Sequence, residues 1–227
     1  MGVHFRQEPP QVSGLYRYAM ITAVLITNGR SSYQYALRAL EEQSYRLPII
    51  TIKDMSWVEA NNLALATCPT NLMIRVDDDM FLHPRAVEFM LDTYSGKTMH
   101  RGKLYEPHTK RIAGRVKIYN VERCKEVDGF TANRLGKIDR VFERRIGSGA
   151  ISISDKRSPV GIHSCPDWTE QREYERLWGY RKSTRERMKR FDMPLEEQFS
   201  MRVWKIERIA KQKNGRFWEW LQEKSAS

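Results

Sequence analysis

Cysteine is scarce in this chain. Cys68, Cys124 and Cys165 are the 3 cysteines among 227 residues, and none has the close pairing that ligates zinc or starts a disulfide framework. A small cross-linked scaffold is therefore excluded, and free thiols are expected. Long apolar runs are missing as well. The best candidate, Tyr18 to Thr27, is strand-sized and falls well short of the roughly 18 residues that a membrane-crossing helix needs. The first thirteen positions hold Arg6, Glu8 and Pro9-Pro10 in place of the apolar stretch of a secretory leader, so a cytoplasmic protein is expected. There is no internal repeat and no low-complexity tract. Positive charge is sparse in the first part of the chain: residues 1–100 carry 9 Lys/Arg and 10 Asp/Glu, whereas residues 101–227 carry 30 and 18. All the excess positive charge, +12 of a net +11, lies in that second part, which suits a polyanionic partner such as nucleic acid or an anionic surface.

What is present reads as a folded α/β protein, with 41% hydrophobic and 11% aromatic residues. Tyr18–Thr27 is β-branched and almost continuously apolar, as a parallel strand covered on both faces should be, and it ends at the turn signal Asn28-Gly29. Ser31 or Ser32 opens a helix through Gln43, Pro48–Ile52 is a second strand, and Ser56 with Glu59 forms a capping box for a helix to about Ala66. Leu72–Val76 is a third strand, and His83-Pro84 opens a helix to about Tyr94. Such alternation predicts a mostly parallel sheet with right-handed crossovers. Beyond it, 96–110 reads as a loop, 111–119 as a strand with one charged face, and 147–154 as a strand led by Gly147-Ser148-Gly149. Trp168–Arg190 is a charge-rich helix, and Pro194 starts another that runs to about Trp220. The expected division is an N-terminal extension (1–17), a main α/β unit (18–165, halved at 95/96) and a helical C-terminal extension (166–227).

Asp77-Asp78-Asp79 directly follows the third strand, at the carboxyl edge where open α/β sheets bind ligands. Three adjacent carboxylates repel one another unless a cation joins them. A hard divalent ion with oxygen ligands, Mg²⁺ or Mn²⁺, answers that need and bridges to phosphates. An acidic helix start accounts for one or two acids, not for three. Thr27, Asn28 and Asp54 lie at the ends of the first two strands and gather along the same edge.

The run from Asn61-Asn62 through Leu72 to Asp79 resembles the segment of GT-A fold glycosyltransferases, family 2 above all, in which an Asn-initiated helix precedes a strand ending in the DxD motif. The likeness covers about 18–95. It implies a GT-A-like α/β fold and a metal-dependent transfer of sugar from a nucleotide-sugar donor, most simply a UDP-sugar. By the same resemblance Thr27, Asn28, Asp54, Asn62, Arg75, Asp77 and Asp78 face the nucleotide-sugar, and Asp79 holds Mn²⁺ or Mg²⁺ with Asp77 as a bridge and His163 as a downstream ligand. The chain departs from family 2 in lacking its late Glu-Asp pair. Asp139 and Asp155 are the candidate catalytic carboxylates by position, with Asp167 a third. Arg75, Arg134 or Arg145 suits a diphosphate, Trp168 an acceptor ring, and His83 a structural role at a helix start. The basic second half points to a polyanionic acceptor, in its sharpest form hydroxymethylated DNA bases modified by a viral enzyme. The rival readings are a nucleotidyltransferase, which the faint phosphate-loop pattern Thr27-Asn28-Gly29-Arg30 recommends only weakly, and a non-catalytic nucleic-acid-binding protein.

Overall fold

The computed structural model describes residues 3–6, 21–131, 138–164 and 191–226. The expected helix at 168–190, together with Arg134, Cys165, Asp167 and Trp168, lies outside them. In chain order the elements are β1 (Val3–Arg6), β2 (Ile21–Thr27), α1 (Tyr33–Glu41), β3 (Ile49–Lys53), α2 (Trp57–Thr67), β4 (Leu72–Asp77), β5 (Met80–Leu82), α3 (Ala86–Asp92), β6 (Met99–Glu106) and β7 (Arg111–Asn120). They continue with α4 (Val121–Glu126), α5 (Ile138–Ile146), a short 3-10 turn, β8 (Ile151–Ile153), β9 (Pro159–His163), α6 (Leu195–Ser200), α7 (Trp204–Gln212) and α8 (Arg216–Ala226).

Among the described residues the strands form one mixed sheet in the order β1-β3-β2-β4-β7-β6-β9-β5, with β8 beside β6. β2 runs parallel to both β3 and β4, and β6 runs parallel to β8 and β9. β1, β7 and β5 pair antiparallel with β3, β4 and β9. All seven residues of β2 are buried because alternate side chains enter two different cores. Ile21, Ala23 and Leu25 meet α1, α3 and the C-terminal helices, while Val24 and Ile26 meet the side built by α2, α4 and α5. The capping box of α2 forms as the sequence predicts: Glu59 N–H donates to Ser56 Oγ (3.3 Å) and Ser56 N–H to the Glu59 carboxylate (3.2 Å).

Several segments differ from the expectation: β1, from the expected N-terminal extension, pairs with β3, and β5, α4 and β9 are further elements, while two differences change how the segments themselves read. The stretch expected as a loop at 96–110 contains β6, a central strand with His100 and Arg101 buried. Its polar letters hide a strand covered on both faces, and Gly102 is there because a Cβ would meet Val160 Cγ2 at 2.7 Å and Met90 Sδ at 2.8 Å. The single helix expected from Pro194 to Trp220 is three, with a break at Asn214-Gly215. Asn214 takes φ 45°, and a Cβ on Gly215 would overlap Ser158 Oγ.

Those three helices pack into the sheet's core. Phe199, Ile206, Ala210, Phe217 and Leu221 join the cluster that holds Ile74, Phe81 and Phe89. Phe217 is fully buried, with its ring 4.8 Å from Phe89 and 5.1 Å edge-on to His83. His83 is itself buried, accepts from Arg85 N–H at 3.1 Å and stands 3.3 Å from Glu207, which is a structural setting. Replacing Phe217 with Ala is expected to cost about 3–5 kcal/mol in urea unfolding, as for other buried aromatics; a loss below about 1 kcal/mol would show that α8 adds little to this core.

Candidate functional site

The acids lie where β4 turns into β5. Asp77 is the last residue of β4, Asp78 and Asp79 make the turn, and Met80 opens β5. Each carboxylate has its own partners. Asp78 accepts from Thr27 Oγ1 at 2.8 Å and Asn28 N–H at 3.3 Å, so it ties the end of β2 to the end of β4. Asp79 accepts from Arg30 Nη1 at 2.9 Å, and that same nitrogen is 3.5 Å from Asp78. On its other side Asp79 stands 3.5 Å from His163 Nε2. The β5–β9 register, Met80 opposite His163, brings them together. His163 Nδ1 is in turn 3.4 Å from Glu106, whose carboxylate also accepts from Thr109 Oγ1 at 3.0 Å. The imidazole is thereby held at both nitrogens between two acids.

These surroundings separate the acids electrostatically. Burial, reinforced by Asp79, pushes Asp78 up to about 6 against the pull of Arg30 and Thr27. Burial also pushes Asp77 up, against the pull of Arg75. Burial acts the same way on Asp79, but His163 and Arg30 outweigh it and hold that carboxyl down at about 2. Burial disfavours the His163 imidazolium, yet Asp79 and Glu106 overcome this and raise it to about 10.

On the opposite face of β4, Arg75 is buried and reaches Asp77 (3.4 Å), Asn61 Oδ1 (3.1 Å) and Asp139 (3.1 Å). Lys117, its register partner on β7, is also buried and lies 2.5 Å from Asp139. Asp139 thus neutralises two buried cations. Burial raises its carboxyl, but Arg75 and Lys117 together hold it well below the ordinary carboxylate range.

The remaining sequence candidates are dispersed. Asp54 is exposed with φ 57°, its N–H 3.4 Å from Thr27 O, so it does stand at the shared edge of β2 and β3. Asn62 clasps the backbone of Phe130 from both sides, donating to its carbonyl (2.9 Å) and accepting from its N–H (2.8 Å). Asp155 accepts from Ser158 Oγ (2.6 Å) and from the N–H groups of Arg157 (2.8 Å) and Arg216 (2.7 Å), which caps α8. None of those groups belongs to the acid cluster. Arg145 is spent on the carbonyls of Val127 and Gly129 and on Thr131 Oγ1. Gly147 takes φ 75° and leads the 3-10 turn before β8. The residues that sequence reasoning missed are Arg30 and Glu106. Arg30 carries a signal, since it ends the faint phosphate-loop pattern after β2, though not as a partner of the acids; Glu106 carries none, because its strand has the composition of a loop.

A cation suits part of this cluster. Asp77 Oδ1 and Asp79 Oδ1 are buried acceptors without a hydrogen-bond donor, and mixed carboxylate and imidazole donors are appropriate to Mn²⁺. As the side chains stand, Arg30 and His163 neutralise the acids, and among the described residues no group of three His, Cys, Asp or Glu converges as a metal site.

The architecture is the GT-A-like, Rossmann-type α/β fold: a mostly parallel sheet between helices with the acid cluster at its carboxyl edge. Similar solved structures include the mannosyltransferase PcManGT from Pyrobaculum calidifontis in complex with GDP-Man and Mn²⁺, at 13% identity over 66% of this chain and TM-score 0.50. S. aureus TarS 1-349 in complex with UDP-GlcNAc is 13% identical over 65% of this chain at TM-score 0.52, and TarS 1-349 alone is 14% identical over 78% of this chain and 68% of its own length at TM-score 0.50. The chain spans 58% of PcManGT and 59% of the UDP-GlcNAc complex of TarS. No family model and no curated protein matches the sequence.

The Asp139 network sets a pH dependence. A carboxyl whose folded value lies below its ordinary 3.8 adds stability that is present above that value and is lost as pH falls through the folded value, because the unfolded chain binds the proton first. Wild-type stability in urea is therefore expected to drop steeply below about pH 4, while Asp139→Asn is weaker at neutral pH and loses less on acidification. Parallel curves for the two proteins would show that the network contributes nothing.

Proposed function

We propose that this chain is a metal-dependent glycosyltransferase that moves a sugar from a nucleotide-sugar donor to an acceptor hydroxyl. One observation carries the reading: Thr27, Asn28 and Arg30 from the end of β2 and His163 from β9 converge on Asp78 and Asp79 at the carboxyl edge of a GT-A-like sheet. That edge is where such sheets take nucleotides. The fold neighbours support it in kind, one with GDP-Man and Mn²⁺ and another with UDP-GlcNAc.

In this reading Asp79, Asp77 and His163 hold Mn²⁺ or Mg²⁺, Asp54 and Asn28 face the nucleoside, and Arg30 turns toward the diphosphate. Negative charge grows on the nucleoside diphosphate as the bond to the sugar breaks, and a bound dication supplies the neutralisation. Residues 18–95 form the donor half and 96–165 the acceptor half. Of the two carboxylates picked from sequence, Asp139 is the better candidate for the acceptor's proton, since Arg75 joins it to Asp77 whereas Asp155 caps a helix. A base works best near the operating pH, so Asp139 must be loosened from Lys117 and Arg75 when substrates bind. The basic second half favours an anionic acceptor, of which DNA is one form. Among the described residues no helix is long and apolar enough to cross a membrane.

Thermal unfolding with nucleoside diphosphates and Mn²⁺ tests the reading. A ligand at a hundred times its Kd adds about 2.7 kcal/mol of native-state stability. Uridine diphosphate with Mn²⁺ is expected to raise Tm more than either alone, and Asp79→Asn to remove the metal-dependent part. A diphosphate shift that is indifferent to Mn²⁺ in the wild type would remove the metal from the proposal, and no shift with any nucleotide would end it.

A further inference from the structure

The face of the sheet under α5 changes character along its strands. Near its base Met73, Tyr119 and Met99 lie side by side on β4, β7 and β6, covered by Phe130 and Phe142. One step toward the carboxyl end of β4 the same face carries Arg75, Lys117 and Arg101 in register, and one step further Lys103 stands opposite Arg115. Like charges directly opposite on paired strands destabilise a sheet. Here two such pairs follow each other, Arg101 against Lys117 and Lys103 against Arg115.

Helix α5 answers the inner row. Asp139 and Glu143, one turn apart on the helix, present acids to it. Asp139 takes Arg75 and Lys117, and Glu143 pairs with Arg101. The outer row is left short: among the described residues Arg115 has only Glu143, at 3.8 Å, and no acid pairs with Lys103. Burial lowers the lysine's affinity for its proton, and Arg115 and Arg101 lower it further. Arg101 Nε is buried without a hydrogen-bond partner as well. Arg115 is partly exposed, so this end of the row is open to a ligand.

We infer that Lys103 and Arg115, backed by Arg101, bind a phosphate group of a substrate on the α5 face of the sheet, one register step beyond the layer that Asp139 neutralises. A phosphate dianion supplies the charge that α5 does not, and two cations on adjacent strands grip it from both sides. The inference rests on the transfer reading for what the phosphate belongs to. It is either the donor's diphosphate or a phosphodiester in the acceptor.

The test compares wild type with Lys103→Gln, Arg115→Gln and the double variant, using two probes: uridine diphosphate with Mn²⁺ by calorimetry, and a labelled single-stranded oligonucleotide by anisotropy across a salt series. Since the pair repels in the empty protein, each single substitution is expected to keep or raise Tm, so weakened binding cannot be ascribed to misfolding. Charge-preserving Lys103→Arg guards the same point and should bind as wild type does. If the phosphate belongs to the acceptor, the double variant binds the oligonucleotide at least tenfold more weakly, with a salt slope smaller by about 1.4, and uridine diphosphate affinity holds. If it belongs to the donor, only uridine diphosphate affinity falls by that factor. Equal affinity of wild type and double variant for both probes, or a wild type that binds neither, overturns the inference. A wild type that fails to bind uridine diphosphate with Mn²⁺ while the double variant loses the oligonucleotide overturns the donor reading and leaves the phosphate site standing.

Discussion

Three carboxylates in a row cannot be buried together unless each is answered by a different positive or donor group. At an effective dielectric near 20, two unit charges about 4 Å apart repel by roughly 4 kcal/mol, comparable with a large share of a domain's net stability. The fold meets this constraint with partners drawn from both near and distant parts of the chain. Arg75 precedes the acids on the same strand, Arg30 comes from the turn after β2, and His163 arrives on β9 through antiparallel pairing with β5. Remove any one and a buried acid is left to protonate or to draw in another cation.

The same rule governs the other side of β4. Arg75 and Lys117 sit in a sheet interior only because α5 sets Asp139 above both, and Arg101 because Glu143 stands one helical turn further along. Below that ionic layer, the stacked rings of Phe130 and Phe142, 4.4 Å apart, close the apolar part of the core against Tyr119. The ionic layer therefore lies above a dry floor, where an unmatched charge is costly and a matched one is held in place.

Much of the stretch from residue 21 to 92 was legible because its signals are local. β2, β3 and β4 are short apolar runs ended by polar turns, and the Ser56 capping box is written in consecutive residues. The meeting of Asp79 with His163 was suggested only by resemblance, since no spacing rule gives the register of β5 on β9. Arg30 was visible as a residue after a turn but not as the partner of two acids. The cap that Asp155 gives α8 was not visible, because an acid's chain position says nothing about whether it caps a helix 61 residues later. β6 was hidden by the very property that makes it informative: a central strand that carries His100, Arg101 and Lys103 reads as polar coil until its neighbours supply acids and aromatics around it. The break at Asn214-Gly215 was in plain sight, and helical periodicity on both sides masked it.

Strand geometry explains why three adjacent acids are useful where one would not be. Successive side chains leave a strand on opposite faces, so Asp77 follows Met73 and Arg75 to the α5 side while Asp78 turns to Thr27 and Arg30. Asp79, at the turn into β5, shares Arg30 with Asp78 and also faces His163. The triplet consequently reaches three regions at once: the β2 edge, the β9 end and, through Arg75, the ionic layer under α5. A ligand that replaces Arg30 or His163 at one acid changes the charge felt at the others, because burial leaves little solvent between them to screen it. Coupling between the two faces of the sheet thus follows from the alternation of one strand's side chains, with no movement of the backbone required.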